Sequence, residues 1–237
     1  MKLVEINCPR SIDLKNINGI KNNNIKYLLQ SVDIYDKVII SQNIKHNGIF
    51  IKSIDTLNNE FEKEIKEIID IYSKYTGINV DNINIIIEKN KNILFVSKYG
   101  ILANILIGLN IYYNNKLTIH ELFYVASLVN NYIGFYLVCG YREIEDNDKI
   151  YNHMENIFKK YLLFSNLSSE NKLRIMEYVC KHKLSYNDEN NYFIAFKENE
   201  ILKDFLNVKK EFKDIKLYEF ENVSKNKILK KYLTFNK

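Results

Sequence analysis

The sequence is poor in the residue types that build metal sites and disulfide frameworks. Its 237 residues include three cysteines, Cys8, Cys139 and Cys180, which lie far apart and lack CxxC spacing. This spacing excludes a cysteine zinc site and a paired disulfide framework, so we expect no metal and a reducing compartment. The sequence also lacks an apolar run of 18 residues and an N-terminal signal-peptide core. We therefore expect a cytoplasmic protein without a transmembrane segment.

Arginine is also rare, because only Arg10, Arg142 and Arg174 occur beside 31 lysines. Arginine is the residue best suited to bidentate contacts with phosphates and bases. The net charge is +5, and the lysines are interspersed with acidic residues nearly everywhere. We therefore expect no specific nucleic-acid partner.

Five residue types with A/T-rich codons dominate what is present. Asn, Ile, Lys, Tyr and Phe account for 132 of the 237 residues. Such a bias replaces arginine by lysine and fills loops with asparagine whether or not the function requires it. A single lysine or asparagine is therefore weak evidence of a site.

The hydrophobic pattern predicts an α+β protein in two halves. The acidic run 145–148 is the predicted boundary between a domain at 1–146 and a smaller domain at 147–237. Predicted strands lie at 4–7, 32–41, 49–51, 82–88, 191–196 and 215–220. Predicted helices lie at 55–76, 100–113, 118–129, 150–164, 168–182 and 198–212. The segment 134–144 is predicted to form a turn or helix and then a strand.

Several segments resemble the GHMP kinases, the small-molecule kinases of sugars, homoserine, mevalonate and related alcohols. Val4–Ser11 resembles the first strand and its proline-containing motif, and Leu29–Val38 is most similar to the threonine and homoserine kinase branch. Further similar segments follow in the same order along most of the chain, at 83–113, 117–122, 135–140 and 191–197, where 135–140 resembles the strand after the catalytic acid.

The resemblance implies an N-terminal βαβ domain and a smaller, ferredoxin-like C-terminal α+β half. It also implies a phosphate loop at 89–100 for Mg-ATP and an acceptor-substrate site after Pro9. The residues that retain this chemistry are Lys91, Ser97, Lys98 and Gly100 in the loop, and Ser11 and Asp13 near Pro9. A helix cap with a solvated lysine is the alternative for the loop residues. Pro9 predicts a turn before Ser11 and Asp13, and ordinary turn chemistry is the alternative for these two residues.

The sequence departs from the family at each of its three motifs. Bulky Leu94, Phe95 and Val96 replace small residues in the phosphate loop, and the catalytic aspartate aligns with Tyr132. The third motif, at 187–191, contains no glycine. Because phosphoryl transfer depends on positioning and electrostatic stabilisation, these losses predict a pseudoenzyme whose phosphate loop is packed rather than open.

Three functions stay open at this point. The first is a pseudoenzyme that binds a protein partner or a small metabolite. The second is an active ATP-dependent kinase of an amino-alcohol or sugar-like hydroxyl, and the third is a non-catalytic interaction module. The basic tail at 224–237 interleaves lysines with apolar residues, which predicts a docking helix for a partner chain or an anionic surface.

Overall fold

The structure, a computed structural model, describes residues 2–15, 17, 25–44, 47–53, 59–89, 98–145, 150–152, 158–187 and 192–223. Two sheets and six α-helices are formed within these ranges. The strands are β1 (Leu3–Asp13), β2 (Ile25–Gln42), β3 (Ile49–Ser53), β4 (Ile83–Glu88), β5 (Tyr141–Glu145), β6 (Ile150–Asn152), β7 (Phe158–Phe164), β8 (Ser185–Asn187), β9 (Phe193–Lys197) and β10 (Leu217–Glu221). The helices are α1 (Asn59–Thr76), α2 (Lys98–Tyr112), α3 (Ile119–Val129), α4 (Asn131–Val138), α5 (Ser169–His182) and α6 (Leu206–Glu211).

The first sheet is built around the long strand β2. Residues 37–42 of β2 pair with β4, and its residues 25–30 pair with β5. On the other side of β2, all of β1 runs antiparallel to residues 29–41. Strand β3 pairs with β4 in parallel, so β3, α1 and β4 form the expected βαβ unit. Strand β6 adds to the outer side of β5, which gives six strands in this part of the chain.

Helices α1 to α4 share one apolar core with β1, β2 and β4. Helix α2 is buried on nearly all sides, as its mostly apolar sequence predicts, and it packs on β1 and β2. Helix α3 begins at the predicted capping box, in which the Thr118 hydroxyl accepts from the backbone N–H of Glu121 and the Glu121 carboxylate accepts from the backbone N–H of Thr118. No helix in the described ranges combines the length and the apolar character needed to cross a membrane.

The second sheet has the strand order β10–β7–β9–β8, with all neighbours antiparallel. Its elements follow in the order strand, helix, strand, strand, helix, strand, which is the ferredoxin-like arrangement. One face packs on α5 and α6, and the other shares a core with β1 and β2. The two sheets are also joined directly after β10, where an isolated antiparallel β-bridge pairs Asn222 with Val32 of β2.

Three predictions of local structure are wrong. Residues 150–152 and 158–164 form strands β6 and β7 rather than a helix, because the apolar end of β7 is buried on both faces and such a short run has no clear period. The resemblance implies a strand at 135–140, but residues 135–138 belong to helix α4, because Asn130 caps a helix there. The helix followed by a strand that the pattern predicts in 134–144 is confirmed by α4 and β5. Pro9 lies inside β1, at a register shift against β2, and not in a turn.

Gly108 allows α2 to lie close to the sheet, and its replacement is the first test of this packing. A Cβ at this position would lie 2.6 Å from Cδ1 of Ile40 and 3.1 Å from Cδ1 of Ile6. Overpacking costs about 1–3 kcal/mol, and alanine regains about 1 kcal/mol of helix propensity. We therefore expect Gly108→Ala to lower the free energy of unfolding by about 1 kcal/mol and Gly108→Leu to lower it further, in urea titrations followed by circular dichroism.

Ile40→Val provides the matched control, because it removes the closest atom. The double variant with Gly108→Ala should be at least as stable as Gly108→Ala alone. Equal or higher stability of Gly108→Ala relative to the unchanged protein would show that the helix lies farther from the sheet.

Candidate functional site

The first feature of the candidate site is the N-terminus of α2. Lys98 opens the helix, and Gly100 is buried in its first turn. The Lys98 ammonium donates to Oε1 of Glu64 on α1 at 2.7 Å, and this hydrogen bond raises the pKa of the lysine. The same ammonium lies 5.0 Å from the ring centroid of Tyr99. Lys91, Ser97 and the predicted packing of the loop lie outside the described residues.

Glu64 is more enclosed than its partner. Its side chain is 23% exposed, whereas that of Lys98 is 38% exposed. Its Oε2 is buried and has no hydrogen-bond partner within the described part of the chain. The ion pair therefore fixes the lysine against α1, at the helix end where the sequence places a residual anion site.

Three aromatic rings from three elements meet beside this helix end. Tyr132 lies at the start of α4, where the side chain of Asn130 accepts from its backbone N–H at 2.9 Å. Its ring centroid is 5.5 Å from that of Tyr99 and 5.3 Å from that of Tyr27 on β2. We call Tyr27, Tyr99 and Tyr132 the tyrosine cluster. It occupies the position that the resemblance assigns to the catalytic acid.

Ser11 and Asp13 lie near the end of β1. The Ser11 hydroxyl and the Tyr136 hydroxyl are 2.5 Å apart in a hydrogen bond. Oδ1 of Asp13 accepts from the backbone N–H groups of Lys15 at 2.9 Å and Leu28 at 3.1 Å. These contacts hold the end of β1 against β2 and α4.

Helix α4 connects the two groups of candidate residues. Tyr132 and Tyr136 are four residues apart, so they lie on one helix face and about 6 Å apart along the axis. Tyr132 contacts the tyrosine cluster and Tyr136 contacts Ser11. The structure therefore places Ser11 and the start of α2 along the same face of this short helix, about one turn apart.

Arg10 on β1 forms its ion pair inside the protein. Nε of Arg10 donates to Oδ2 of Asp36 at 2.9 Å, and a terminal nitrogen donates to Oδ1 at 2.6 Å. Both side chains are at most 3% exposed. The pair lies beside the register shift that follows Pro9, so its guanidinium faces β2 rather than a ligand in solvent.

The cysteine next to this pair, Cys8, is free and buried. Burial raises the pKa of the Cys8 thiol well above its usual value, and Cys139 and Asp36 raise it further. Cys139 is also buried, and only Cys180 of the three is exposed. Among the described residues, no group of three or more His, Cys, Asp or Glu side chains is arranged to hold a metal ion.

Sequence reasoning missed Glu64, Tyr27 and Tyr136. Glu64 is one of five acidic residues in α1, and nothing in its spacing distinguishes it from the others. The two tyrosines belong to a chain with 18 tyrosines, so their type carries no signal. Only the contacts made across elements identify them.

Comparison with known proteins gives structural matches alone. No family model matches the chain, and no curated protein matches its sequence at a significant level. The solved homoserine kinase from Cytophaga hutchinsonii is 13% identical with a TM-score of 0.63, over 93% of this chain and 95% of that chain. Mevalonate pyrophosphate decarboxylase from Streptococcus pyogenes is 8% identical with a TM-score of 0.68, over 94% and 97%.

A solved mevalonate kinase is also similar, with 13% identity and a TM-score of 0.58 over 92% of this chain and 99% of that chain. At such identities the similarity establishes the fold and leaves the activity open. The matches extend over both halves, from the βαβ unit to the ferredoxin-like sheet. The chain therefore has the two-domain fold of the GHMP kinase superfamily.

Proposed function

We propose that this GHMP-kinase-like protein is a pseudoenzyme, which acts by binding a partner or a metabolite and does not transfer phosphate from ATP. The main support is the ion pair between Lys98 and Glu64 at the N-terminus of α2. A phosphate at this helix end would need the lysine as its counter-ion. It would have to separate the pair and would then lie beside the Glu64 carboxylate, which repels it.

The tyrosine cluster supports the same proposal. A kinase of this type uses a carboxylate near the acceptor hydroxyl, whereas Tyr132 offers a phenol in its place. Its ring packs against Tyr27 and Tyr99, so aromatic side chains fill the space around it. The side chains around Tyr132 would therefore give only weak stabilisation to the charge that develops during phosphoryl transfer.

The described residues also fit Mg-ATP poorly. Magnesium bound to a nucleotide is usually held by one or two carboxylates together with phosphate oxygens. At the α2 terminus the carboxylate present is Glu64, and its Oε1 is bound to Lys98. The start of α4 offers the amides of Asn130 and Asn131 and the phenol of Tyr132 in place of an acid.

The exposed edge of the tyrosine cluster suits a metabolite. Tyr27 is 37% exposed, and the Ser11–Tyr136 hydroxyl pair lies one helical turn away along α4. Aromatic faces attract planar or cationic groups, and hydroxyls donate or accept hydrogen bonds. This combination favours a small ligand with an apolar or cationic part and a polar part.

Nucleotide binding tests the proposal. A ligand present at about 100 times its dissociation constant stabilises a protein by about 2.7 kcal/mol, so a working kinase would show a clear thermal shift with Mg-ATP. We expect no shift with Mg-ATP or Mg-ADP in differential scanning fluorimetry and no heat of binding in calorimetry. Glu64→Gln frees Lys98 and should increase any residual affinity for inorganic phosphate.

Glu62→Gln is the matched control, because Glu62 pairs with Lys66 on the exposed side of the same helix. It should leave phosphate affinity unchanged. A thermal shift with Mg-ATP, together with transfer of the γ-phosphate to a small alcohol, would replace the pseudoenzyme proposal with the active kinase.

A further inference from the structure

An apolar patch is exposed on the outer side of the helical layer. It consists of Tyr75 on α1 and Tyr124 and Leu128 on α3, which are 44%, 54% and 50% exposed. The ring centroids of Tyr75 and Tyr124 are 5.7 Å apart, so the patch is continuous across the two helices. Single exposed apolar residues are common, but adjacent ones often mark a binding surface.

An acidic residue lies on the same side of α1 as Tyr75. Glu67, Ile71 and Tyr75 are spaced by four residues and therefore share one face of α1. Glu67 is exposed, and α1 as a whole carries five acidic residues against three lysines. We call the surface formed by Glu67, Tyr75, Tyr124 and Leu128 the α1–α3 face.

The basic tail at 224–237 has the complementary composition. It contains five lysines and no acidic residue, so the other 223 residues carry equal numbers of basic and acidic side chains, 29 of each. The whole net charge of +5 is thus in the tail. Its residues Ile228, Leu229, Tyr232 and Leu233 have the spacing of one helix face, although they lie outside the described residues.

The last described residue leaves the tail within reach of the α1–α3 face. The backbone N–H of Val223 donates to the carbonyl oxygen of Ser31, and its side chain packs with Cys139 at the end of α4. Helix α4 is about 12 Å long, and Asn130 alone joins it to α3. A tail of 14 residues spans up to about 46 Å when extended and about 21 Å as a helix.

We infer that the basic tail binds in cis across the α1–α3 face of its own chain. Its apolar residues cover Tyr75, Tyr124 and Leu128, and its lysines lie on the side of α1 that carries Glu67. Burial of apolar surface supplies most of the stabilisation, and the opposite charges fix the orientation. The inference is independent of nucleotide binding, because the face lies on α1 and α3 and includes no residue of the tyrosine cluster.

A single tryptophan reporter tests this contact, because the protein contains no tryptophan. In the full chain, Tyr124→Trp should emit at a shorter wavelength than an exposed indole and should be protected from acrylamide quenching. Leu229→Ser with Leu233→Ser in the tail should shift this emission to longer wavelength and increase quenching. Added salt should weaken the contact, because exposed charges are screened.

Leu173→Trp on α5 is the matched control, since Leu173 is 58% exposed and lies in the other half of the chain. Its emission should not respond to the tail substitutions. The inference fails if the Tyr124→Trp emission is the same with and without them. It also fails if the protection depends on protein concentration and the particle mass doubles, because a second copy would then cover the face.

Discussion

Substitution of Asp36 by alanine is expected to lower the free energy of unfolding by about 3–5 kcal/mol, which is the usual cost of breaking a buried ion pair by removing one partner. The guanidinium of Arg10 would be left without its bidentate carboxylate in a site where its side chain is 1% exposed. The loss should appear as a lower urea midpoint with an unchanged slope, measured by circular dichroism.

Replacement of both partners separates the charge effect from the packing effect. Arg10→Met together with Asp36→Leu removes both charges and keeps apolar volume, so the double variant should recover most of the lost stability. Glu62→Gln removes one partner of an exposed pair and should change stability far less. A small loss for Asp36→Ala would indicate that Arg10 gains access to water when its partner is removed.

Substitution of Tyr161 by alanine is expected to cost about 3–5 kcal/mol, as for other large aromatic residues removed from a core. Tyr161 is fully buried on β7, where its ring stacks on Phe220 at 5.2 Å and lies edge to face with Phe193 at 6.1 Å. Its core cluster also contains Ile12 of β1 and Val32 of β2. The side chain therefore supports both halves of the protein.

Because this core is shared, both halves should lose stability together. Hydrogen exchange should become faster in β1 as well as in β9 when Tyr161→Ala is compared with the unchanged protein. Tyr161→Phe retains the ring and is the control with the smaller expected loss. Faster exchange confined to residues after the predicted boundary at 146 would instead show that the two predicted domains unfold independently.

Features of local sequence were predicted well. The capping box at Thr118, the end of α1 before Gly77 and the buried, mostly apolar helix α2 follow from residue types within one or two turns. The predicted helix at 168–182 agrees with α5, whose N-cap is Ser168. These elements are determined by short-range hydrogen bonds and periodicity, which the sequence contains directly.

Predictions failed where burial comes from distant parts of the chain. Strand β7 is covered on one face by the core it shares with β1 and β2 and on the other by the core formed with α5 and α6. Its last four residues, Tyr161–Phe164, are therefore all apolar and buried, and this part of the strand loses the alternation that identifies a half-buried strand. The contacts of the candidate site also join distant parts of the chain, and the sequence did not predict them. Glu64 and Lys98 are 34 positions apart, and Tyr27 and Tyr132 are farther apart still.

The sequence by itself determined the α+β composition, the order of the segments that resemble the GHMP kinases, and the residues that replace the family motifs. Local hydrogen bonding and hydrophobic period are sufficient for such features. Only the tertiary structure decided that Lys98 is bound to Glu64 and that Arg10 is buried against Asp36. It also decided that Tyr132 packs against Tyr27 and Tyr99. These pairings depend on which elements the core brings together, and that is a property of the folded chain.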